Sequence, residues 1–278
     1  MKDTEFLKNN GVNLDSALEL LGDLSFYDET LEQFIEENKT RLPNIAKYKK
    51  EGNMPEYAIL VHALKSDAKY LGFTDLAEIA LAHEMASKAN DINTVNEKYN
   101  DLVNIYNKYA KIAFEYLGSC ASPSASEVPS EPKEEAPVEI PAEAPVEAPV
   151  QASTGSKKLI VADDSSIISN IVEKAFEGMY EVLVAANGQV AIDYTKTNNP
   201  DDIIALILDL NMPEVDGFAV LDYFKQNDLF KSIPVCIITG DVEKERIDRA
   251  FTYDIVDVIP KPFTMDNVRN VVEKITFK

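Results

Sequence analysis

The chain has 278 residues, 45% of them hydrophobic, and a formal net charge of −21. That length fits about two domains with ordinary cores, and the acidity excludes a basic nucleic-acid patch, reading instead as solubility. Two cysteines are too few for a disulfide framework, and no stretch approaches the ~18 apolar residues of a membrane span. Met1-Lys2-Asp3-Thr4-Glu5 lacks an apolar signal core, so a reducing cytoplasm is the expected home.

From the N-terminus, apolar residues recur with a helical period: Leu14, Leu18 and Leu21, then Leu60, Leu64 and Leu71. Leu76, Ile79 and Ala80 follow, then Leu102, Ile105, Tyr109 and Ile112. Loops such as Lys50-Glu51-Gly52-Asn53-Met54-Pro55 separate them, without strand-like alternation. Residues 1–118 therefore read as an all-α antiparallel helix bundle with short connections. Within it, Leu60, Leu64 and Leu71 fall roughly opposite His62, while Lys65, Ser66 and Lys69 share its face. The spacing predicts an exposed imidazole flanked by cations and a hydroxyl. That setting suits a nucleophile carrying an anionic group, and no second ligand for a metal is near. His83 shares a face with Leu76, Ile79 and Ala80 and reads as packing.

Residues 119–156 hold half of the 14 prolines and repeat Pro137-Val138-Glu139 as Pro145-Val146-Glu147, without an aromatic residue. Such a segment cannot bury enough apolar surface to offset its ordering entropy. It is expected to be a disordered, extended, acidic linker rich in Pro, Ala and Glu.

Beyond it the rhythm changes. Strand-length apolar runs appear at Leu159–Ala162, Val182–Ala185, Ile203–Leu208, Val235–Ile238 and Ile255–Ile259, separated by amphipathic helix-length stretches. Regular β–α alternation over residues 157–278 predicts an α/β, doubly wound, five-stranded parallel sheet. Ligands in such folds sit at the carboxyl ends of strands, where Asp163, Asp164, Asp209 and Thr239 fall.

Crowded carboxylates call for a divalent cation, and Mg2+ takes carboxylate, phosphate and water oxygens. Asp164 and Asp209 are the expected ligands, with Asp163 behind them. Asp209, ending the most apolar run, is also placed to accept a phosphoryl group as a nucleophile. Its oxygens would find donors in the Thr239 hydroxyl and the Lys261 ammonium, and Pro262 favours a fixed peptide that aims the lysine. Taken singly, Asp163-Asp164 could cap the next helix, Thr239-Gly240 could be a turn, and Lys261 a solvated charge. Four complementary groups at four strand ends speak for a pocket.

This set resembles the receiver domain of two-component response regulators over about residues 157–278. The acidic pair matches at Asp163 and Asp164, the phosphorylated aspartate at Asp209, the switch hydroxyl at Thr239 and the lysine at Lys261. The separations of 30 residues to Thr239 and 52 to Lys261 fit the family. The resemblance implies a flavodoxin-like fold and a metal site completed by the backbone carbonyl of Asn211. It departs at Val258, where the family usually has Tyr or Phe, which puts an aromatic switch in doubt. The stretch from His62 to Gly72 resembles the histidine phosphotransfer (HPt) domain through His62, Leu64, Lys65, Ala68, Leu71 and Gly72, over about residues 10–118. Ser66 stands where that family has Gly.

The combined resemblance implies a phosphorelay protein in which His62 and Asp209 carry the phosphoryl group. Its partners would be a sensor histidine kinase or other receiver or HPt proteins, with no nucleic acid and no membrane. No output domain or ATP-binding glycine loop is recognisable, so the chain is expected to carry phosphate without being a kinase. Receiver self-phosphorylation and autodephosphorylation are expected. Whether the two stations serve each other or separate partners is left open by the sequence. The alternative is a receiver-based binding module with a scaffold that is never phosphorylated at its histidine. A haloacid-dehalogenase-like phosphatase would want Asp-x-Asp, and Asn211 occupies its second acidic position.

Overall fold

A computed structural model describes residues 3–118, 157–240 and 244–276. The expected linker, 119–156, lies outside them.

Six helices form the N-terminal part: α1 (Thr4–Asn9), α2 (Leu14–Leu21), α3 (Leu24–Glu51), α4 (Met54–Tyr70), α5 (Thr74–Lys88) and α6 (Ile92–Leu117). Side chains of Asp3, Asn13, Asp23, Asn53 and Asp91 accept first-turn N–H groups and so start five of them. Gly52 and Gly118 end α3 and α6 in the left-handed region. Connections of two or three residues turn α4 back on α3, α5 on α4 and α6 on α5, and α6 closes the ring against α3. Leu31, Phe34, Leu64, Phe73, Leu102 and Tyr109 fill its centre. The short α1, which carries no long apolar period, was not foreseen; it packs Leu7 under α2 and α6.

The C-terminal part alternates β1 (Lys158–Ala162), α7 (Ser166–Phe176), β2 (Glu181–Ala185), α8 (Gly188–Thr197) and β3 (Ile203–Asp209). It continues with α9 (Gly217–Gln226), β4 (Val235–Thr239), α10 (Lys244–Ala250), β5 (Asp257–Pro260) and α11 (Met265–Thr276). All pairs are parallel and the order is β2-β1-β3-β4-β5, the doubly wound arrangement expected. Leu159, Val161, Ala205, Ile207, Cys236 and Ile238 face α7 and α11, while Ile160, Ala162, Leu206, Leu208, Val235 and Ile237 face α8 and α9. The period of two thus feeds two apolar layers. β5 begins at Asp257 rather than at Ile255: Asp257–Pro260 are in register with β4, and before them Val256 gives only its N–H to the Val235 carbonyl, at 2.8 Å.

The two parts are packed together. One apolar cluster runs through the bundle and on into the layer beneath α7 and α11. At the seam α3 lies on α7, and the Tyr70 and Phe263 rings meet edge to face at 6.0 Å. This contact corrects the expectation of an exposed His62. The C-terminal domain covers it, leaving His62 2%, Lys65 3% and Ser66 3% exposed.

Candidate functional site

The acidic pair follows β1 directly, and Asp209 ends β3 beside it, at the point where the strand order reverses. Carboxylate oxygens of Asp163, Asp164 and Asp209 lie within 4.8 Å of one another. The Lys261 Nζ sits 2.7 Å from both Asp163 Oδ2 and Asp209 Oδ2. Asp163 Oδ1 accepts the Ser165 N–H at 2.9 Å, and Asp209 Oδ1 accepts the Asn211 N–H at 3.3 Å. Asp164 Oδ1 is buried without a hydrogen-bond partner. The helix cap that Asp163-Asp164 might have supplied comes instead from Ser165, whose Oγ accepts the Ile168 N–H.

The charges are strongly coupled. Burial pushes Asp163 up to about 7; Lys261 pulls it down and the charge of Asp209 adds to the rise. Burial also raises Asp164 well above the usual range, reinforced by Asp163 and Asp209. Burial alone would lower Lys261, but Asp163 and Asp209 hold it protonated, above its ordinary value. Clustered carboxylates in this state fit a hard, oxygen-seeking cation.

Thr239 ends β4, buried, and its carbonyl accepts the Lys261 N–H at 2.8 Å. The Lys261–Pro262 peptide is cis. The side-chain carbonyl of Asn211 accepts from Arg246 at 3.0 Å. Val258 lies in β5, and Tyr253 donates to Asp222 at 2.6 Å.

Over this pocket lies α4. A Cβ on Gly240 would stand 3.6 Å from His62 Cε1, 3.7 Å from Lys65 Nζ and 3.8 Å from Lys261 Cβ. The histidine motif and the receiver lysine therefore meet around the residue after Thr239. The His62 Nδ1 lies 2.6 Å from Glu84 Oε1, and Glu84 Oε2 accepts from Lys65 at 2.6 Å. The Lys65 Nζ also lies 3.2 Å from Nδ1. Taking the nearer Glu84 oxygen as the acceptor puts the proton on Nδ1 and the lone pair on Nε2, which is buried with no hydrogen-bond partner. Burial alone would raise Glu84, but His62 and Lys65 hold it below the usual carboxylate range. A cavity of about 430 Å³ opens beside His62, between Met54, Ala58 and Lys88 of the bundle and Asn211 of the receiver.

The same helix reaches two further loops. The Ser165 hydroxyl donates to Asp67 Oδ1 at 2.8 Å, and the Phe263 N–H donates to the Tyr70 oxygen at 3.1 Å. Asp67 is fully buried, and its other oxygen pairs with Arg41. Sequence reasoning missed Glu84, Arg41, Asp67 and Ser165 as partners of the site. Glu84 is 22 residues from His62, so no local spacing marks it. His83 is buried as expected, 2.7 Å from the Tyr57 hydroxyl. Among the described residues no helix is long and apolar enough to cross a membrane.

Comparison with known proteins identifies the family of each domain. The response regulator receiver domain model matches residues 159–273, and the Hpt domain model matches residues 29–106. The Helicobacter pylori chemotaxis protein CheY1 is 32% identical over 118 residues, 42% of this chain and 94% of that protein. The Bacillus subtilis sporulation initiation phosphotransferase F is 31% identical over 121 residues, 43% of this chain and 93% of that protein. A Campylobacter jejuni chemotaxis protein CheY homolog is 29% identical over 120 residues, 42% of this chain and 91% of that protein. The chain belongs to the response regulator receiver family, joins an Hpt domain to its receiver, and acts in two-component phosphorelay signalling.

Proposed function

We propose that His62 and Asp209 of one chain exchange a phosphoryl group directly. The supporting observation is the meeting of His62, Lys65 and Lys261 around Gly240. In the forward step an Asp209 oxygen bonds to phosphorus as the Nε2–phosphorus bond of phosphorylated His62 breaks. The bonding pair returns to Nε2 as its lone pair, so the ring becomes neutral again. Nδ1 keeps its proton throughout, and Glu84 faces the positive charge of the phosphorylated ring. A carboxylate nucleophile needs no base. Lys261 and the Thr239 hydroxyl hold the transferred oxygens, and Lys65 holds them on the histidine side.

Asp164, Asp209 and the Asn211 carbonyl are the proposed ligands of Mg2+, with Asp163 supporting them; the unpartnered Asp164 oxygen favours this set. When bound, the ion neutralises charge shared by carboxylates and phosphoryl oxygens. The end of α6 at Leu117 and the start of β1 at Lys158 support boundaries at 1–118 and 157–278. Histidine kinases or other phosphorelay proteins supply and drain the phosphate.

The test uses the full chain. Phosphoramidate, in chelator, loads His62; Mg2+ is then added and the phosphoryl group is mapped by mass spectrometry. Transfer to Asp209 at a rate independent of protein concentration is expected. Asp209→Ala should trap the group on His62, and His62→Gln should never load. Equal labelling of wild type and His62→Gln would remove His62, and a rate proportional to concentration would make the exchange intermolecular.

A further inference from the structure

The seam between the domains carries one polar contact built unlike the rest. Asp67 is fully buried on α4, five residues after His62. Both its oxygens are committed. Oδ2 pairs with Arg41, which also holds Glu37 at 2.8 Å, and Oδ1 accepts the Ser165 hydroxyl at 2.8 Å. Ser165 in turn gives its N–H to Asp163 in the acidic pocket. A single chain of contacts thus runs from α3 through α4 to the loop that bears the acidic pair.

An anion fully buried in the seam is costly unless fully paired. Arg41 supplies the charge, and its field also reaches Asp164. What remains is one acceptor site, aimed across the interface, which only a donor can fill. A receiver presenting a hydroxyl here is accepted. One presenting a carboxylate would set two buried acceptors against each other, and one presenting a methyl would leave Oδ1 unsatisfied.

We propose that Asp67, held by Arg41, is a positioning and specificity-determining residue that reads the hydroxyl of Ser165 and so sets His62 in register over the Asp209 pocket. The inference rests on the internal transfer proposed above. Asp67 and Ser165 touch no transferred atom; they act through the placement of α4 against the loop after β1.

The experiment is the same Mg2+-triggered transfer in the full chain, with acetyl phosphate loading of Asp209 measured alongside. Ser165→Asp keeps a capping side chain on α7 but opposes Asp67. It should slow transfer from His62 by about tenfold or more, as expected for coupled contact residues, with direct loading retained. Adding Asp67→Asn gives the new carboxylate an amide donor and leaves an acceptor for Arg41. This double variant should recover transfer to within about threefold of wild type. Transfer by Ser165→Asp at the wild-type rate overturns the proposal, as does a double variant no faster than the single. Should Ser165→Asp fail to load from acetyl phosphate, Ser165→Ala decides. Slowed transfer with intact loading supports the role, and wild-type transfer ends it. If wild type itself moves no phosphate from His62 to Asp209, the internal relay fails, an outcome distinct from any of these.

Discussion

The His62 imidazole packs over Gly240, with Cε1 3.6 Å from where a Cβ would stand. A methyl there is in ordinary contact, so Gly240→Ala should dock normally. A branched side chain would meet His62, Lys65 and Lys261 together. Gly240→Leu should therefore loosen the seam and uncover His62. Modification by diethyl pyrocarbonate, mapped to His62, should speed up by about tenfold, the change expected for ~1.4 kcal/mol of lost docking. Equal modification rates in wild type and Gly240→Leu would show that His62 is not covered in solution.

Glu84 lies against Nδ1 of His62 and also pairs with Lys65 and Lys88. Glu84→Gln leaves the buried Lys65 ammonium uncompensated, a change that costs about 3–5 kcal/mol in comparable buried pairs. The sign with pH follows from its lowered value. A depressed carboxylate stabilises the fold above its unfolded pKa of ~4.3, and that contribution fades as pH falls below it. Urea unfolding should separate wild type from Glu84→Gln widely at pH 7 and narrow the gap progressively as the pH drops from ~4 toward 3. A gap that persists unchanged into acid would mean the carboxylate charge is not what stabilises the site.

Much of this architecture was legible in the chain. Leu159–Ala162 and Ile203–Leu208 read as strands because they are buried on both faces, and the punctuation between them is regular. Asp209, Thr239 and Lys261 were legible because each closes a strand or follows one. His62 was found by its motif, but its surroundings were read wrongly. The period of α4 distinguishes its two faces without saying that a second domain covers the polar one. Asp67 shows the reason most clearly. It lies 98 residues from Ser165, and its burial depends on a contact that no local pattern encodes.

Two glycines separate the domains' stabilities. At Gly217 a Cβ would fall 2.3 Å from the Asp209 carbonyl oxygen and 2.7 Å from Leu210 Cα. Gly217→Ala must push on the strand end that carries Asp209. The expected cost is about 1–3 kcal/mol, as for other overpacked sites, with loading from acetyl phosphate reduced. Gly72 has a φ of +72° and would meet the Asn13 oxygen at 2.3 Å. Gly72→Ala should weaken the bundle by about 2 kcal/mol or more while Asp209 still loads. Loss of loading in Gly72→Ala and not in Gly217→Ala would reverse the assignment.

The acidic cluster should give the receiver a pH dependence of stability and, through the proposed ion, a Mg2+ dependence. Burial, opposed by Lys261 and reinforced by Asp209, pushes Asp163 up to about 7. The unfolded value is ~3.9, so folding takes up a proton between these limits. The contribution is complete below ~4 and is lost as pH rises through about 7, the folded value. In chelator, the receiver transition should therefore weaken from pH 5 to pH 8. Mg2+ in excess should restore it, by about 2.7 kcal/mol at a hundredfold excess over its Kd. Asp164→Asn replaces a buried ionisable carboxyl, one of whose oxygens has no hydrogen-bond partner, by a neutral amide. It should be more stable than wild type in chelator at pH 8 and respond little to Mg2+. Urea midpoints at pH 6 and pH 8, with and without the ion, measure both effects. A Mg2+ response in Asp164→Asn equal to that of wild type would take Asp164 out of the ligand set.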